Sequence, residues 1–430
     1  MRSRKRMGFF GVGLLILLIL VVFLVQANSA SRDEISQKVA VPELRLTLND
    51  VTLDEIKENG KEIKYSGNNL ALGDLGFDDV EIKGRGNATW AQVKKPYQLK
   101  LSQKADLLGL GKMRKWILIS SYWDNTNLRT DTAFYLAKMV GEKFAHSGEF
   151  VELYVNDEYE GLYYLTQGIA VSKNAVDLKD PLGVLVELDN IYGENENSFF
   201  VSDNGERLTV KDAVAQDNLE LAMADFMESF NALEEAVQAK DYAKITEMID
   251  VESFAEYYLI SEFAANPDAY FTSQYFYKDG PEDKIHAGPA WDFDIAFNNT
   301  LVRDWFAADG DMTRYIAKDY FENSDEQYGQ WSRLFARLID LPEFRAEVNR
   351  VFQERLSGRK NELLTHFWQQ AAKIYNAATR DSEKWEKEDF VRGVKGLLEW
   401  LNGRYDYFEM EYGTKKYKNY PFYDINVVEA

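Results

Sequence analysis

The stretch Gly288–Asn299, "GPAWDFDIAFNN", sets two carboxylates, Asp292 and Asp294, in an apolar and aromatic run. Tryptophan, phenylalanine and isoleucine favour burial, whereas a carboxylate requires water, a donor or a cation. A hard divalent cation such as Mg²⁺ takes carboxylate oxygens readily and is one partner that makes such burial tolerable. A further acid, Asp268, stands in "FAANPDAYF", just after Pro267 closes a helical stretch. Between the two acids, "SQYFYKDGPEDKIHAG" reads as a β hairpin with Gly280 and Pro281 at its turn.

An acid in a loop, a hairpin, then an acid beside an aromatic is the order found in protein-kinase active sites. There the first acid orients or deprotonates an acceptor hydroxyl, and the second holds Mg²⁺ on nucleotide phosphates. Asp294 points away from Asp292 if the backbone is extended. It is therefore either a second metal ligand or a structural hydrogen-bond acceptor.

Phosphate would need cations from elsewhere. "IKGRGNATW" places Gly84 and Gly86 around Arg85, a turn whose N–H groups could approach an anion. In "VKKPYQLKL", alternation puts Tyr97, Leu99 and Leu101 on one face of a strand and Lys100 on the other, where it could enter a cleft. A GxG is a weak signal by itself, and most strand lysines are solvated surface. Glu187 and Asp189 in "VELDN" form an acidic pair that also reads as solvated strand-end carboxylates. His146, His286 and His366 lack ligand spacing and read as structural or surface residues. HExxH, GxSxG and GxxxxGK[ST] are all absent from the sequence.

The elements that must hold these residues follow from periodicity. Short alternating runs ("ELRLTL", "VEIKG", "PYQLKL", "KWILIS", "FVELYV") predict a β-rich part over about 41–170. "VNDEYEG" supplies a hairpin turn at Asn156 and Asp157. One helix interrupts, with Asp, Asn and Thr capping candidates ahead of Leu128, Tyr135, Leu136, Met139 and Val140. After "GVLVELD" the chain turns helical, with apolar stripes over 217–238, 251–264 and several segments from 331 to 412. The aromatic run "FAEYYLISEF" reads as core packing on a helix. The fold class expected is α+β: a β-rich first part, a helical second part and a hairpin within the latter.

The chain has 430 residues and a formal charge of −21. Removing the four N-terminal cations Arg2, Arg4, Lys5 and Arg6 takes that charge from −21 to −25. A surface so acidic repels nucleic acid and anionic lipid. With no cysteine, disulfides, thiolate metal sites, cysteine nucleophiles and a lipoprotein anchor are excluded. "MRSRKRM" precedes roughly 18 apolar residues without a charge, long enough to span a bilayer with the basic end in the cytoplasm. Residues 1–27 are thus an uncleaved signal anchor or, with "VQA" or "ANS" as cleavage site, a signal peptide. Either way the bulk is expected outside the cytoplasmic membrane, anchored to it or secreted. Residues 28–40 read as a polar linker.

At this point the chain resembles the spore-coat protein H kinase-like (CotH) family. The resemblance is carried by "IKGRGNATW", "KKPYQLKL", "RKWILISSYWDNTNLR", "FVELYVNDEYEGLYYL", "NPDAYFTSQYFYKDG" and "GPAWDFDIAFNN", in that order. It implies a minimal, atypical protein-kinase-like bilobed fold over 41–325, with 326–412 a helical extension of the second lobe and 413–430 a tail. It implies binding of ATP with Mg²⁺ or Mn²⁺ and phosphorylation of protein hydroxyls, notably on spore coat proteins. Residue by residue, Asp268 resembles the catalytic-loop aspartate and Asp292 the metal-binding one. Asp294 and Asn299 are further metal candidates. Lys100 and Arg85, with Gly84 and Gly86, are matched to phosphate, and Gln167 to the end of the hinge-like strand. Arg129 either braces the cleft or lies on a helix surface. The chain departs from the pattern at Ser273, where a typical kinase has asparagine, at Gln167, where many members have glutamate, and at Asn298, where "AFGN" reads "AFNN".

Two functions of different class follow. One is ATP- and metal-dependent phosphoryl transfer to a protein or surface substrate. The alternative is a catalytically inactive surface module that keeps the fold to bind a protein or glycan partner.

Overall fold

Alternating burial along the early strands builds a barrel in a computed structural model of the protein, which describes residues 41–191, 199–299, 311–317 and 332–413. The described residues from Pro42 onward belong to one compact unit. The barrel strands are β1 (Glu43–Thr47), β2 (Tyr65–Leu72), β3 (Leu75–Gly84), β4 (Tyr97–Asp106), β5 (Lys112–Ile119), β6 (Gly148–Val155) and β7 (Glu158–Gln167). They close in the order β1-β2-β3-β4-β5-β7-β6. Leu44, Leu70, Ile82, Leu99, Trp116 and Leu165 are among the side chains that fill the barrel. Closure leaves no free edge, and β1 seals the ring by pairing parallel to β6. A short helix, α1 (Leu53–Glu58), begins with a capping box between Thr52 and Glu55.

The β6–β7 turn is the one the sequence reading places there. Asn156 and Asp157 take φ of 49° and 66°, the left-handed pair that a two-residue hairpin turn demands. The interrupting helix is α2 (Arg129–Val140), ended by Gly141 in left-handed conformation. Its cap comes from two of the candidates ahead of it. Asp124 Oδ2 accepts the Arg129 N–H at 2.9 Å, and Thr126 Oγ1 accepts the Leu128 N–H at 3.0 Å.

Strand structure extends beyond the limit of about 170 expected from sequence. β8 (Gly183–Leu188), β9 (Phe199–Val201), β10 (Arg207–Ala213), β11 (Gln274–Asp279) and β12 (His286–Ala287) form a second sheet, ordered β12-β11-β8-β10-β9. The hairpin expected in the helical part is therefore the β11–β12 edge of a five-stranded sheet. β8 is buried at all six positions. Such a strand reads as a plain apolar run, and alternation cannot announce it.

The helical part comprises α3 (Leu219–Gln238), α4 (Tyr242–Met248), α5 (Val251–Ala264), α6 (Leu334–Asp340), α7 (Pro342–Arg355), α8 (Lys360–Lys384) and α9 (Phe390–Tyr412). The whole is α+β, with a β-rich first part and a helical second part. α5 carries "FAEYYLISEF", and every residue from Ser253 to Ala264 is buried, as core packing requires. Among the described residues no helix is long and apolar enough to cross a membrane. The apolar N-terminal run, the linker at 28–40 and the tail from residue 414 lie outside the described residues.

The late helices bind the two parts together. α8 lies along the barrel, where Arg380 pairs with Glu152 at 2.5 Å and Lys373 with Glu149. In α9, the fully buried Arg404 donates to the carbonyls of Glu262, Phe263 and Met312. Deepest of all, Lys94 Nζ meets Asp381 Oδ1 at 2.6 Å while Lys387 Nζ meets Oδ2 at 3.3 Å, and all three side chains are buried. Asp381 also accepts the Leu162 N–H at 2.9 Å, and its carboxylate is held below its ordinary range chiefly by Lys94 and Lys387 against burial. Removing that carboxylate strands two amines in the interior. Asp381→Ala is expected to cost about 3–5 kcal/mol in urea unfolding. A loss under about 1 kcal/mol would mean that the helices are held by apolar packing alone.

Candidate active site

Two loops meet at Asn266. The first leaves α5 through Ala265, with φ of 44°, and passes Asn266 and Pro267 to Asp268. The second carries Trp291, Asp292 and Asp294 after β12. Asn266 joins them. Its Oδ1 accepts the Asp268 N–H at 3.2 Å, and its Nδ2 donates to the Asp292 carbonyl at 3.0 Å. One amide thereby fixes the spacing between the loops, a role that the sequence reading did not give it.

Strand pairing supplies the third wall. β11 runs antiparallel to β8, with Gln274 opposite Leu188, which brings Asp189 beside the end of the Asp268 loop. Thr272 Oγ1 donates to Asp189 Oδ1 at 2.9 Å, and Ser273 Oγ donates to Asp292 Oδ2 at 3.1 Å. Glu187 and Asp189 are both buried, contrary to the reading of solvated strand-end acids. Glu187 accepts from Tyr275 Oη at 2.8 Å and pairs with Lys211 at 2.5 Å. Their depth comes from β8 lying between β10 and β11, which sequence alone does not disclose.

Backbone strain concentrates here. Ala265, Tyr270, Ser273, Asp292, Phe297 and Asn298 all have φ between 44° and 68°. Non-glycine residues in the left-handed region cost energy and persist where the surroundings over-determine them, as at functional sites. The turn at Asp292 also overturns the extended geometry that would aim Asp294 the other way. Asp294 instead raises the pKa of Asp268 through space, so both carboxylates share one electrostatic neighbourhood.

The charges in that neighbourhood are lopsided. Burial, then Asp292, Asp294 and Asp189, push the Asp268 carboxyl well above its ordinary range. Burial raises Asp292 as well, while Arg85 and the Ser273 hydroxyl pull it down. Burial, Asp292 and Asp124 push Asp294 up to about 8, against Arg129. Arg85 lies 5.5 Å over the Trp291 ring, with Asp292 the main charge opposing the desolvation of its guanidinium. Arg129 is a buried brace. It pairs with Asp124, and its Nε donates to the Ala296 carbonyl at 3.0 Å, tying α2 to the Asp294 turn.

Asp292 and Asp294 offer carboxylate oxygens, a donor type that a hard divalent cation accepts. Among the described residues no group of three or more acids or histidines stands at metal-holding spacing. Mg²⁺ is ordinarily held by one or two carboxylates plus phosphate oxygens and water, so a closed protein cage is not required.

The other sequence-derived site residues divide. Lys100 projects outward from β4, opposite Glu81 on β3 and Lys115 on β5. Gly86 has φ of 80°, which makes the turn after Arg85. Gly84 is taken up by packing instead. It pairs with Tyr97, and a Cβ there would lie 2.5 Å from the Trp90 ring. Gln167 Nε2 donates to the Leu110 carbonyl. Asn299 Nδ2 donates to the Trp123 and Asp294 carbonyls at 2.9 and 2.8 Å, bracing the turn. The three histidines have structural settings: His146 is buried against Phe134 and Trp291, His286 stacks on Tyr277, and His366 meets Asp131 at 2.7 Å.

The family model described as CotH kinase protein matches residues 81–408. The chain belongs to the CotH kinase family. The match starts within β3 of this CotH-family chain and ends in α9, so both acid loops and the late helices up to residue 408 fall inside it. No curated protein sequence matches the chain significantly.

The shifted carboxyls give this CotH-family protein an expected pH signature. A carboxyl whose folded pKa exceeds its unfolded value stabilises the fold at low pH and loses that contribution as pH rises through the folded value. For Asp294 the window runs from the ordinary 3.8 up to about 8. Within it the slope attributable to one group is at most about 1.4 kcal/mol per pH unit. In EDTA, the melting midpoint of the unaltered protein should fall relative to that of Asp294→Asn between roughly pH 5 and pH 8. Parallel midpoints would contradict the shift.

Proposed function

We propose that this protein transfers the terminal phosphoryl group of ATP, with Mg²⁺ or Mn²⁺, to a hydroxyl of a protein or surface substrate. The observation that carries the reading is the Asn266 clamp, which joins the loops of the half-buried Asp268 and Asp292 in one net-acidic neighbourhood with Arg85. Family membership agrees with a kinase-like function. The reading includes a two-lobed, kinase-like division of labour. The β-rich part contributes cations, and the helical part contributes the two acid loops.

Asp268 orients the acceptor hydroxyl and takes its proton as the oxygen attacks the terminal phosphorus and the bridging P–O bond breaks. A carboxyl raised by burial and like charges is a better base than an exposed one. Asp292, with Asp294, would hold a divalent cation, whose charge offsets that of the phosphates. Arg85 and Lys100 orient those phosphates from the barrel side. Catalysis of this kind is mostly positioning and electrostatics.

The alternative, a non-catalytic binding module, is favoured by one observation. Ser273 stands where a kinase amide would hold a second metal, and its hydroxyl is donated to Asp292. We place the domain outside the cytoplasmic membrane, tethered or released according to the fate of residues 1–27. Incubating the full chain with terminally labelled ATP and Mg²⁺ or Mn²⁺ tests the transferase reading. Label should enter protein hydroxyls and disappear with EDTA. Nucleotide binding without any transfer would favour the module.

A further inference from the structure

The two amines that share Asp381 have different second partners, and the difference reaches the candidate active site. Lys94 Nζ turns to the barrel, where it donates to the Leu162 carbonyl at 2.5 Å. Lys387, in the corner between α8 and α9, turns to the chain ahead of α2. Its Nζ donates to the Ser121 carbonyl at 3.0 Å and to Asn127 Oδ1 at 3.2 Å. With Asp381 Oδ2 at 3.3 Å, those contacts use all three donors of an ammonium whose side chain is 2% exposed.

Ser121 and Asn127 bound a strained turn. Both are left-handed, with φ of 49° and 57°, a conformation that non-glycine residues keep only where their surroundings impose it. Within the turn, the Asp124 N–H donates to the Ser121 carbonyl at 3.1 Å and the Asn127 N–H to the Asp124 carbonyl at 3.2 Å. The Ser121 carbonyl therefore takes one bond from inside the turn and one from Lys387. Hydrogen bonds from a charged donor are roughly twice as strong as neutral ones, and Lys387 supplies two to this turn. The start of α9 presses on it too, because a Cβ on Gly393 would sit 2.8 Å from Asn125 Cγ.

The opposite side of the turn holds the acid loop. Asn299 Nδ2 bridges the Trp123 and Asp294 carbonyls at 2.9 and 2.8 Å. Asp124 pairs with Arg129, whose Nε donates to the Ala296 carbonyl at 3.0 Å. The route from Lys387 to Asp294 is therefore short: the Ser121–Asp124 turn, then the Asn299 amide. Packed and hydrogen-bonded contacts of this kind carry coupling worth about two- to thirtyfold in affinity.

We propose that Lys387 is a positioning residue for the proposed reaction: by holding the 121–127 turn from behind, it sets where the Asp292–Asp294 loop presents its carboxylates. It touches neither substrate nor metal. Its effect on transfer rests on the transferase reading, whereas the link from Lys387 to the acid loop does not.

Three variants of the full chain test this. Lys387→Met and Lys94→Met each take one amine from Asp381, so both lose stability, but only the first releases the turn. Asn127→Gly keeps the left-handed backbone and removes one acceptor of Lys387. In EDTA, hydrogen–deuterium exchange over residues 290–299, read by mass spectrometry, should quicken about tenfold in Lys387→Met. It should quicken in Asn127→Gly as well, and in Lys94→Met it should match the unaltered protein. With ATP present, the Mn²⁺ concentration giving half-maximal label transfer should rise about tenfold in Lys387→Met. The rate at saturating Mn²⁺ should stay within about threefold, a split that a globally weakened protein does not show. The proposal falls if folded Lys387→Met exchanges over 290–299 like the unaltered protein, or if Lys94→Met matches Lys387→Met. Should Lys387→Met not fold, unchanged exchange in Asn127→Gly overturns it instead. The exchange measurement contains neither metal nor nucleotide, so it decides on Lys387 even where the unaltered protein transfers no label, a result that would overturn the transferase reading alone.

Discussion

Asp292→Asn should abolish most of the stabilisation that ATP with Mg²⁺ confers on the protein. A ligand at a hundredfold its Kd stabilises the folded state by about 2.7 kcal/mol through mass action. The substitution preserves shape, the Asn266 contact to the Asp292 carbonyl and the left-handed turn, in which asparagine is at ease. What it removes is the negative charge that a divalent cation would need. Affinity for the metal–nucleotide complex should fall at least tenfold, or about 1.4 kcal/mol. The metal-free protein should change little in stability, because the substitution relieves repulsion with Asp268 and Asp294 while removing the main charge opposite Arg85. Differential scanning fluorimetry across a metal–nucleotide titration reads both effects. A variant that loses stability and keeps the ligand response would contradict the assignment.

Asp268→Asn should do the reverse. The metal–nucleotide shift survives, while transfer falls by about 10²–10⁴-fold, the usual contribution of a positioned general base. Asn266 still bonds the backbone N–H of residue 268, so the loop should stay in place. Loss of transfer with full nucleotide binding separates a proton acceptor from a metal ligand. Single-turnover label transfer, compared with the fluorimetric shift on the same preparations, makes the distinction. A residual rate within tenfold of the unaltered protein would remove Asp268 from the chemistry.

The sequence singles out these two acids because their signals are local. Proline after a helix, an acid in the loop and an acid between aromatics need no knowledge of neighbours. The same holds for the Asn156–Asp157 turn and for the helices at 219–238 and 251–264. What stayed hidden depends on partners distant in the chain. The value of Asn266 lies in two backbone groups, 2 and 26 residues away. Lys115 looks like any strand lysine until the β4–β5 register sets it against Lys100. Glu187 and Asp189 become interior only because β8 is a central strand with β10 and β11 on either side. Gly84 suggests a phosphate loop, yet its missing Cβ serves the Trp90 ring.

A paramagnetic metal probes the core of the account most directly. With Mn²⁺ and ATP bound to the full chain, pulsed electron paramagnetic resonance should detect ³¹P hyperfine coupling from metal-bound phosphate, and Asp292→Asn should eliminate the protein-bound signal. Mn²⁺ held without phosphorus coupling, or a coupled signal indifferent to residue 292, would show that the cation does not join this carboxylate to the nucleotide.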